Sequence, residues 1–599
     1  MYVDVVLPGI WWHPLTYAVS EPVEAGCRVV VPMGPRHGKR VGFVLATKEN
    51  IEDGADYEIK EIIKVLDQTS VLSWELWSLS EWVSRQYLCS QGEILKLMCP
   101  SSITKGCEVT DINPSPQKPA HSFYSEECIY EIDDEERYKR YIDTIENVGS
   151  GLILFPEEAV AKSFWDRLPK EIQERALLWP SGGGKKTFDA WLRARRREVS
   201  LVIGSVGALF APLAPIELVL IEEEASYSYT FVRYPYLSLR HIAAKRAQMW
   251  GSRLIFGGRI PSSRLYLLKR PQLKRNVRDQ IQFANIRTST KPILPRIIPE
   301  LPISSMLLKN SLEVINRGEV VIWILDRKGY AGEISCEECG WTMTCPECGS
   351  FCRISQGETM CFFCGRKSEI PTVCPSCMSR LLVGRRPGIE ALYEIARALV
   401  GDAAPTCKWY KEKSGKKLRA SMLKELEHGG IIVGSRLSLS FCDDCPVGLV
   451  GWIDADAEAR RPQYDARFAA FSMIWESRFR GKNTDKRKVI VQSRRPYRGW
   501  QKGLRLGWQL FWDEELKERY ELNFPPFNLL IEMTGPSKVI EEVFSLLDKS
   551  GFAVYKPIAD EAQLWIKTKE IKVLRELLEP YFHISRSKIG FPKARIWRD

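Results

Sequence analysis

The stretch CEECGWTMTCPECGSFCRISQGETMCFFCGRKSEIPTVCPSC, residues 336–377, places eight cysteines in four Cys-x-x-Cys pairs. The pairs are Cys336/Cys339, Cys345/Cys348, Cys361/Cys364 and Cys374/Cys377. Both thiolates of one pair can reach the same ion, and two pairs complete a tetrahedral zinc shell with Zn–S bonds of ~2.3 Å. The sequence therefore predicts two closed zinc sites, which stabilise structure and leave no coordination position open for catalysis.

The other cysteines are interpreted differently. The chain has 17 in all, and most of the rest, such as Cys27, Cys89 and Cys407, are expected to be small buried apolar residues. Cys352 lies inside the zinc stretch and is interpreted as a bystander. Cys442 and Cys445 form a fifth pair without a second pair nearby, so coincidence is favoured over a separate metal site.

Bulk properties set the broad class. A chain of 599 residues exceeds the size of a single core, so three to five domains are expected. Hydrophobic residues make up 45% and charged residues 27%, as in globular proteins. No apolar run approaches the ~20 residues that cross a bilayer, and the first residues lack the pattern of a secretory signal. The sequence therefore predicts a cytoplasmic protein without a membrane partner, and its net charge of +11 permits a nucleic-acid partner.

Hydrophobic patterning predicts a multidomain α/β protein. Short strand-like runs open the chain, and two successive sets of apolar runs alternate with helical segments, which is typical of parallel sheets. The cysteine stretch interrupts the second set after its first strand. The predicted divisions are a small β-rich domain at 1–100, a linker at 101–122, a first lobe at 123–300, a second lobe at 301–510 with a zinc insertion at 333–380, and an α+β domain at 511–599.

Several motifs in this order carry a family resemblance. They are GCRVVVPMG (26–34), SRQYLCSQGEIL (84–95), VIGSVGALFAPL (202–213), LDRKGYAG (325–332), DADAEARRPQYDAR (454–467) and ERYELNFPPF (518–527). The chain resembles the PriA family of bacterial replication-restart helicases over nearly its full length. The resemblance implies two RecA-like lobes of the superfamily-2 helicase type and an N-terminal domain that binds the 3′ end of a DNA strand. It implies that the family's winged-helix domain is missing, because only the linker separates the first domain from the first lobe.

The resemblance also implies ligand sets and DNA contacts. Cys336, Cys339, Cys374 and Cys377 would share one zinc ion, and Cys345, Cys348, Cys361 and Cys364 the other. The positions that match the 3′-end pocket are Leu15, Thr16, Gly34 and Lys60. Thr16 stands where the family typically has Asp, and core packing is the alternative role for Leu15 and Tyr17.

This chain departs most from the family pattern at the phosphate loop of the ATPase. Such a loop, G-x-x-x-x-G-K-[ST], wraps phosphates with backbone amides and offers a lysine and a Mg²⁺-binding hydroxyl. The stretch SGGGKKT (181–187) has Lys186 where Ser or Thr is required and is interpreted as a surface turn before a helix. The segment at the family's loop position, residues 128–143, contains five carboxylates before residue 137 and no glycine. An acidic cluster repels a triphosphate, so this segment is interpreted as a solvated helix start.

Three further motifs differ from a working motor. The Mg²⁺-positioning Asp-Glu-Glu-His box is Glu222-Glu223-Glu224-Ala225, a degenerate remnant. The following Gly-Ser-Ala-Thr-Pro motif is replaced by Gly258-Arg259-Ile260-Pro261. The arginine-finger motif of the second lobe, normally spaced by glycines, is the stretch 475–480, WESRFR. The sequence therefore predicts no catalytic residues and no bound ATP.

A second candidate DNA site is the basic segment 480–505, with ten Lys or Arg residues and one acid. Basic side chains contact phosphates without sequence choice, and aromatic side chains stack on exposed bases. The candidate contacts are Arg494, Arg495, Arg498 and Trp500, and Trp508, Phe511 and Trp512 extend the aromatic series. The alternative is an ordinary solvated face.

Three hypotheses for function follow. The favoured one is a monomeric PriA-like replication-restart protein that binds forked or single-stranded DNA and recruits replisome-loading proteins without ATP-driven unwinding. The second is an active ATP-dependent 3′–5′ DNA helicase with a divergent nucleotide site. The third is a zinc-ribbon protein-interaction module with no role at DNA.

Overall fold

The computed structural model describes residues 1–34, 38–50, 59–110, 112, 116, 123–273, 280–286, 303–326, 331–346, 352–355, 358–361, 366–409, 416–460, 463–556, 562–582 and 590–599. The chain forms two compact units. One comprises residues 1–272 and 516–599, and the other comprises residues 273–515.

The N-terminal domain is a five-stranded antiparallel sheet with the order β2-β1-β4-β3-β5. Its strands are β1 (Tyr2–Val6), β2 (Leu15–Ala18), β3 (Arg28–Met33), β4 (Gly38–Lys48) and β5 (Lys64–Val65). The Ile62 N–H donates to Ala18 O on β2, while the Ile63 N–H donates to Val30 O on β3. Because one segment bonds both edges, the sheet closes into a small barrel, filled by alternating valines such as Val3 and Val29.

Three helices connect the barrel to the first lobe. They are α1 (Trp74–Tyr87), α2 (Gln91–Met98) and α3 (Ser101–Thr104). Ser90 and Glu93 form a reciprocal capping box at the start of α2. The first of these helices packs on the lobe through a buried ion pair, in which Arg246 Nε lies 2.7 Å from Glu75 Oε1. The predicted linker begins inside α3, and most of the rest of it lies outside the described residues.

The first lobe is a six-stranded parallel sheet with the order β6-β11-β10-β7-β9-β8. Its strands are β6 (Ser125–Tyr130), β7 (Gly151–Leu154), β8 (Ala176–Leu178), β9 (Leu201–Gly204), β10 (Leu218–Ile221) and β11 (Arg253–Gly258). Its helices are α4 (Asp134–Glu146), α5 (Glu158–Trp165), α6 (Lys170–Glu174), α7 (Lys185–Arg195), α8 (Leu239–Trp250) and α9 (Ser263–Lys269). Successive residues of β10 pack into different core clusters, because helices cover both faces of the sheet.

The second lobe repeats this architecture with the order β12-β22-β21-β13-β20-β19, again parallel. Its strands are β12 (Gln282–Asn285), β13 (Val320–Ile324), β19 (Thr406–Trp409), β20 (Gly430–Gly434), β21 (Val447–Trp452) and β22 (Lys488–Ser493). Its helices are α10 (Ser305–Ile315), α11 (Ile389–Val400), α12 (Lys416–Glu425), α13 (Ala455–Glu458), α14 (Ala466–Phe479) and α15 (Gln501–Leu506). Helix α16 (Trp508–Glu521) follows, and the second unit ends within it, at residue 515.

The cysteine-rich insertion is a five-stranded antiparallel sheet between β13 and α11. Its strands are β14 (Ala331–Cys336), β15 (Cys352–Ser355), β16 (Glu358–Cys361), β17 (Lys367–Ser368) and β18 (Leu382–Pro387). The order is β17-β16-β15-β14-β18. Few large apolar side chains fill this sheet, and the small core includes Cys336 and Cys374.

The C-terminal domain has the order of elements β23 (Leu529–Thr534), α17 (Ser537–Lys549), β24 (Ala553–Tyr555), β25 (Gln563–Thr568), α18 (Ile571–Leu578) and β26 (Lys593–Trp597). Its antiparallel sheet has the order β24-β25-β23-β26.

The predicted fold class is confirmed: a β-rich N-terminal domain, two parallel-sheet lobes, an insertion in the second lobe and an α+β domain. Among the described helices, none combines the length and apolar character needed to span a bilayer.

Candidate functional site

The connection from β6 to α4 lies in the segment that the family resemblance assigns to a phosphate loop. Asp133 caps the helix, and its carboxylate accepts hydrogen bonds from the N–H groups of Glu135 (2.9 Å) and Glu136 (3.2 Å). Free N–H groups at a helix start would otherwise attract an anion. Here the protein's own carboxylate occupies two of these donors and places negative charge where a phosphate would come.

Arg137, one turn into α4, is fully buried beneath this connection. Its Nη2 lies 2.6 Å from Glu222 Oε1 and 2.6 Å from Asp134 Oδ1, and its Nη1 donates to Glu131 O at 2.6 Å. The second oxygen of Glu222 accepts a hydrogen bond from Tyr141 Oη at 2.7 Å. Glu222, the first carboxylate after β10, is therefore neutralised inside the protein.

Arg259 forms a second ion-pair centre just after β11. Its Nη2 donates to both oxygens of Asp134, at 2.7 and 2.8 Å, and its Nη1 pairs with Glu223. Glu223 adopts a left-handed backbone, with φ of 48°, beside Gly258. Two arginines and three carboxylates thus form one network between α4, β10 and β11.

The pKa values in this network follow from burial and charge. Burial opposes ionisation of Asp134, but Arg259 and Arg137 outweigh it and hold the pKa of that carboxyl below its ordinary value. For Glu223 burial is the largest effect and raises the pKa to about 7, although Arg259 acts in the opposite direction. Burial, followed by the charge of Glu222, raises the pKa of Tyr141, so this phenol remains a neutral donor.

Glu224 is also buried and bonded. It accepts hydrogen bonds from Tyr130 Oη (2.8 Å), from the Ser262 N–H (2.6 Å) and from Arg240 Nη1 (2.6 Å). Arg240 also pairs with Asp599. The sequence identified the three glutamates as a remnant of a metal-positioning box but missed Arg137, whose partner Glu222 is 85 residues away in the chain.

The glycine-rich stretch 181–187 is the surface turn that the sequence predicts. Gly182, Gly183 and Gly184 are exposed, with open space around each, and α7 begins at Lys185. Thr187 Oγ1 donates to Gly182 O at 3.0 Å, which closes the turn on itself.

The arginine-finger stretch of the second lobe is engaged within that lobe. Arg480 lies 2.6 Å from Asp443 and 2.6 Å from Glu476. Arg478 Nη2 donates to Gln280 Oε1 at 2.6 Å. Both arginines are at most 9% exposed.

The outer cysteines form a cluster that could hold a metal ion. The Sγ atoms of Cys336, Cys339, Cys374 and Cys377 all lie within 4.8 Å of one another. The Cys336–Cys377 and Cys339–Cys374 separations are both 3.6 Å, close to the edge of ~3.8 Å of a tetrahedron with Zn–S bonds of ~2.3 Å. These residues fit zinc.

The inner set is described only in part. Cys345 and Cys361 are buried together, whereas Cys348 and Cys364 lie outside the described residues. Three cysteine turns share one backbone bond from residue i to residue i+5: Cys336 N–H to Trp341 O, Cys374 N–H to Ser379 O, and Cys361 N–H to Arg366 O. Cys442 and Cys445 are buried in the second lobe, where burial raises the pKa of Cys445 to about 12.

The four candidate residues of the N-terminal domain divide into two groups. Lys60 Nζ donates to Gly34 O at 3.3 Å, so these two positions meet at the surface of the barrel. Thr16 Oγ1 donates to Asp4 Oδ1 at 2.9 Å across β1 and β2. Leu15 is half-buried and packs against the barrel core, as the packing alternative predicts.

The basic segment 480–505 also divides into two groups. Arg494, Arg495 and Arg498 are exposed in a loop after β22, and Trp500 is half-buried. Asp456 holds this loop by accepting from the Arg494 N–H (2.8 Å) and from Gln501 Nε2 (3.1 Å).

One arginine of that segment, and the aromatic residues that follow the segment, belong to the interior. Arg487 is 2% exposed and donates to backbone carbonyl groups, including Arg480 O at 2.6 Å. Trp508, Phe511 and Trp512 are at most 1% exposed. The expectation that these three rings extend a base-stacking series is therefore wrong, because all three are buried. Phe511 packs on Phe471 of α14, and Trp512 packs on Phe468 of the same helix.

Comparison with known proteins agrees with this architecture. Residues 4–100 match the family model for the 3′DNA-binding domain (3′BD) of PriA. The replication restart protein PriA of Borreliella burgdorferi is 23% identical over 547 residues, covering 83% of this chain and 80% of that protein. The protein of the same name from Treponema pallidum is 24% identical, covering 89% and 86%.

Among solved structures, Dbp5 of S. cerevisiae bound to RNA and ADP BeF3 is 9% identical, with a TM-score of 0.34, covering 70% of this chain and 87% of that chain. The two six-stranded parallel sheets define the two lobes. The chain thus combines two parallel-sheet lobes with an N-terminal region that matches a 3′DNA-binding domain. Its similarity over most of its length supports a relationship to the replication restart protein PriA.

Proposed function

We propose that this chain is a PriA-like replication-restart protein that binds forked or single-stranded DNA and recruits replisome-loading proteins without ATP-driven unwinding. The observation that carries the proposal is the buried contact of Arg137 with Glu222 and Asp134. A motor needs the carboxylate after β10 to position Mg²⁺ and water. In this chain that carboxylate is held by a guanidinium.

The energetics favour the network over a bound nucleotide. A Mg²⁺ ion could reach Glu222 only if Arg137 left its partners, and breaking a buried ion pair costs about 3–5 kcal/mol. A triphosphate would also meet the carboxylates of Asp133 and Asp134 at the helix start. The two arginines at the finger position, Arg478 and Arg480, are bonded within their own lobe. They would also have to leave their partners before either could contact a nucleotide.

Binding of a fluorescent ATP analogue with Mg²⁺ tests this part of the proposal. We expect no saturable binding up to millimolar analogue, with or without single-stranded DNA. Saturable binding that excess unlabelled ATP reverses would instead favour the active helicase with a divergent nucleotide site.

DNA binding is the second part of the proposal. It is supported by the match of residues 4–100 to a 3′DNA-binding domain and by the exposed cations of the loop 494–498. We propose Leu15, Thr16, Gly34 and Lys60 as the strand-end site. The Ala18 N–H donates to Lys60 O at 2.9 Å, which brings the end of β2 beside Lys60 and Gly34. A separate contact with the DNA phosphate backbone, independent of base sequence, is made by Arg494, Arg495, Arg498 and Trp500.

Binding to a three-way fork at rising salt tests this part. Electrostatic DNA binding weakens steeply with salt, because phosphate contacts release counterions. If the protein shows no binding to the fork at low salt, the result would favour the third hypothesis, a zinc-ribbon interaction module. The proposal further includes two structural zinc ions, a monomeric state and the domain divisions at 1–100, 123–300, 301–510 and 511–599. The boundary between the two lobes is moved to before β12, because this strand pairs with β22 in the sheet of the second lobe.

A further inference from the structure

Asp4 on β1 and Thr16 on β2 form a polar pair on the sheet of the N-terminal domain. The two residues lie directly opposite each other in the antiparallel ladder, so their side chains share one face of the sheet. Val3 and Val5, the neighbours of Asp4, belong to the barrel core. Because successive side chains of a strand point to opposite faces, Asp4 points away from that core. A carboxylate is therefore held next to Thr16, one of the four positions proposed for the strand end.

The direction of the hydrogen bond in this pair follows from its chemistry. Thr16 Oγ1 lies 2.9 Å from Asp4 Oδ1, and Lys48 Nζ lies 2.6 Å from Asp4 Oδ2. A carboxylate that is paired with an ammonium group offers only acceptor atoms, so the Thr16 hydroxyl donates its one proton to Asp4. The Thr16 oxygen keeps its lone pairs and can therefore only accept a hydrogen bond from a ligand.

Exposure decides which of the two residues a ligand can reach. The Asp4 side chain is 9% exposed, whereas Thr16 is half-buried. Thr16 also lies two residues before Ala18, whose N–H donates to Lys60 O at 2.9 Å. A DNA strand that ends at Lys60 would therefore meet the Thr16 oxygen before the carboxylate behind it.

We propose that Asp4 is a positioning residue that fixes the Thr16 hydroxyl as an acceptor for the terminal 3′-hydroxyl group of a DNA strand. The inference rests on the proposed strand-end site. Inside a strand, the 3′ oxygen belongs to a phosphodiester and has no proton to donate, whereas the 3′-hydroxyl group at the end of a strand has one. An acceptor at Thr16 therefore distinguishes the end of a strand from its interior, and Asp4 acts through Thr16 without contacting the DNA.

Binding of the full-length protein to two forks that differ by one oxygen atom tests this. In one fork the nascent strand ends in a 3′-hydroxyl group, and in the other it ends in a 2′,3′-dideoxynucleotide. We expect the wild type to bind the first fork about three to ten times more tightly, which is the ordinary effect of one hydrogen bond. Thr16→Val should lose this preference, and Thr16→Ser, which keeps the hydroxyl, should retain it. Asp4→Asn should lower the preference, because an amide can donate to Thr16 Oγ1 and occupy its lone pairs.

Thr47→Val is the matched control. The Thr47 hydroxyl belongs to the same barrel and donates to Val23 O at 2.8 Å, so its loss should leave the preference for the 3′-hydroxyl group as in the wild type. Each variant is compared with itself on the two forks, and a general loss of stability therefore does not change the ratio of the two affinities.

Equal binding of the two forks by the wild type overturns the inference. So does a preference that survives in Thr16→Val, that is absent from Thr16→Ser, or that is unchanged in Asp4→Asn. A wild-type protein that binds neither fork at low salt would instead refute the proposed DNA binding on which the inference rests.

Discussion

Arg137 Nη2 lies 2.6 Å from Glu222 Oε1, and neither side chain is more than 1% exposed. One residue comes from the helix after β6, and the other follows β10, so the ion pair joins two elements that surround a nucleotide in a motor lobe. Isolated buried charges are strongly disfavoured, so each residue depends on the other.

Replacing Arg137 with methionine should therefore destabilise the first lobe. Glu222 would be left as a buried charge with Tyr141 as its remaining named donor, and the expected loss is about 3–5 kcal/mol. Chemical unfolding followed by tryptophan fluorescence would measure it. The control is Arg140→Ala, which removes an exposed pair with Glu131 and should cost at most about 1 kcal/mol. Equal effects of the two changes would refute a structural role for the buried pair.

The raised pKa of Glu223 predicts a pH dependence. Its folded pKa, about 7, exceeds the ordinary 4.5, so between these pH values the folded protein holds a proton that the unfolded chain has released. Stability should fall as pH rises through that window, by at most about 1.4 kcal/mol per pH unit from this group. Unfolding at pH 5 and pH 7 would show a smaller fall in Glu223→Gln than in the wild type. An unchanged pH dependence in the variant would be inconsistent with a raised pKa.

The outer metal cluster predicts a loss of zinc on replacement of one ligand. Cys336→Ser removes one of four converging thiols, and structural zinc binding contributes directly to folding. We expect the zinc content to fall from two ions per chain to one and the insertion to become sensitive to protease. Retention of both ions would show that the assigned ligand set is wrong.

The exposed loop after β22 predicts a change in the salt dependence of DNA binding. Replacing Arg494, Arg495 and Arg498 with alanine should lower the slope of log K against log salt by up to about 1 for each lost phosphate contact. A matched triple variant that removes exposed cations elsewhere in the same unit, at Lys309, Arg317 and Lys424, should change the slope less. Identical slopes in the two triple variants would show that this loop is an ordinary solvated face and not a DNA contact.

The sequence predicts local features well and long-range partners poorly. The glycine turn at 182–184 depends on neighbours in the chain, and the structure has a surface turn there. The four outer cysteines converge and could hold an ion, but which Cys-x-x-Cys pairs would share it is implied by the family resemblance and not by the spacing. The partnership of Arg137 and Glu222 depends on the fold, which brings two distant elements together. No periodicity or motif in the acid-rich segment marks Arg137 as buried.

The basic segment illustrates the same limit. A run of Lys and Arg in the sequence does not distinguish an exposed cation such as Arg498 from Arg487, which satisfies backbone carbonyl groups inside the second lobe. Nor does it separate a ring that stacks on a base from one that fills a core, as Trp512 does. The rings on one side of α16 fill a core because α14 packs against that side. A tertiary contact of this kind is not visible in the sequence.

ATP hydrolysis by the purified full-length protein, with and without forked DNA, tests the central claim most directly. Because Glu222 is held by Arg137, the account predicts turnover no greater than that of Glu222→Gln under both conditions. Turnover that forked DNA stimulates and that Glu222→Gln abolishes would contradict the account and establish an active motor.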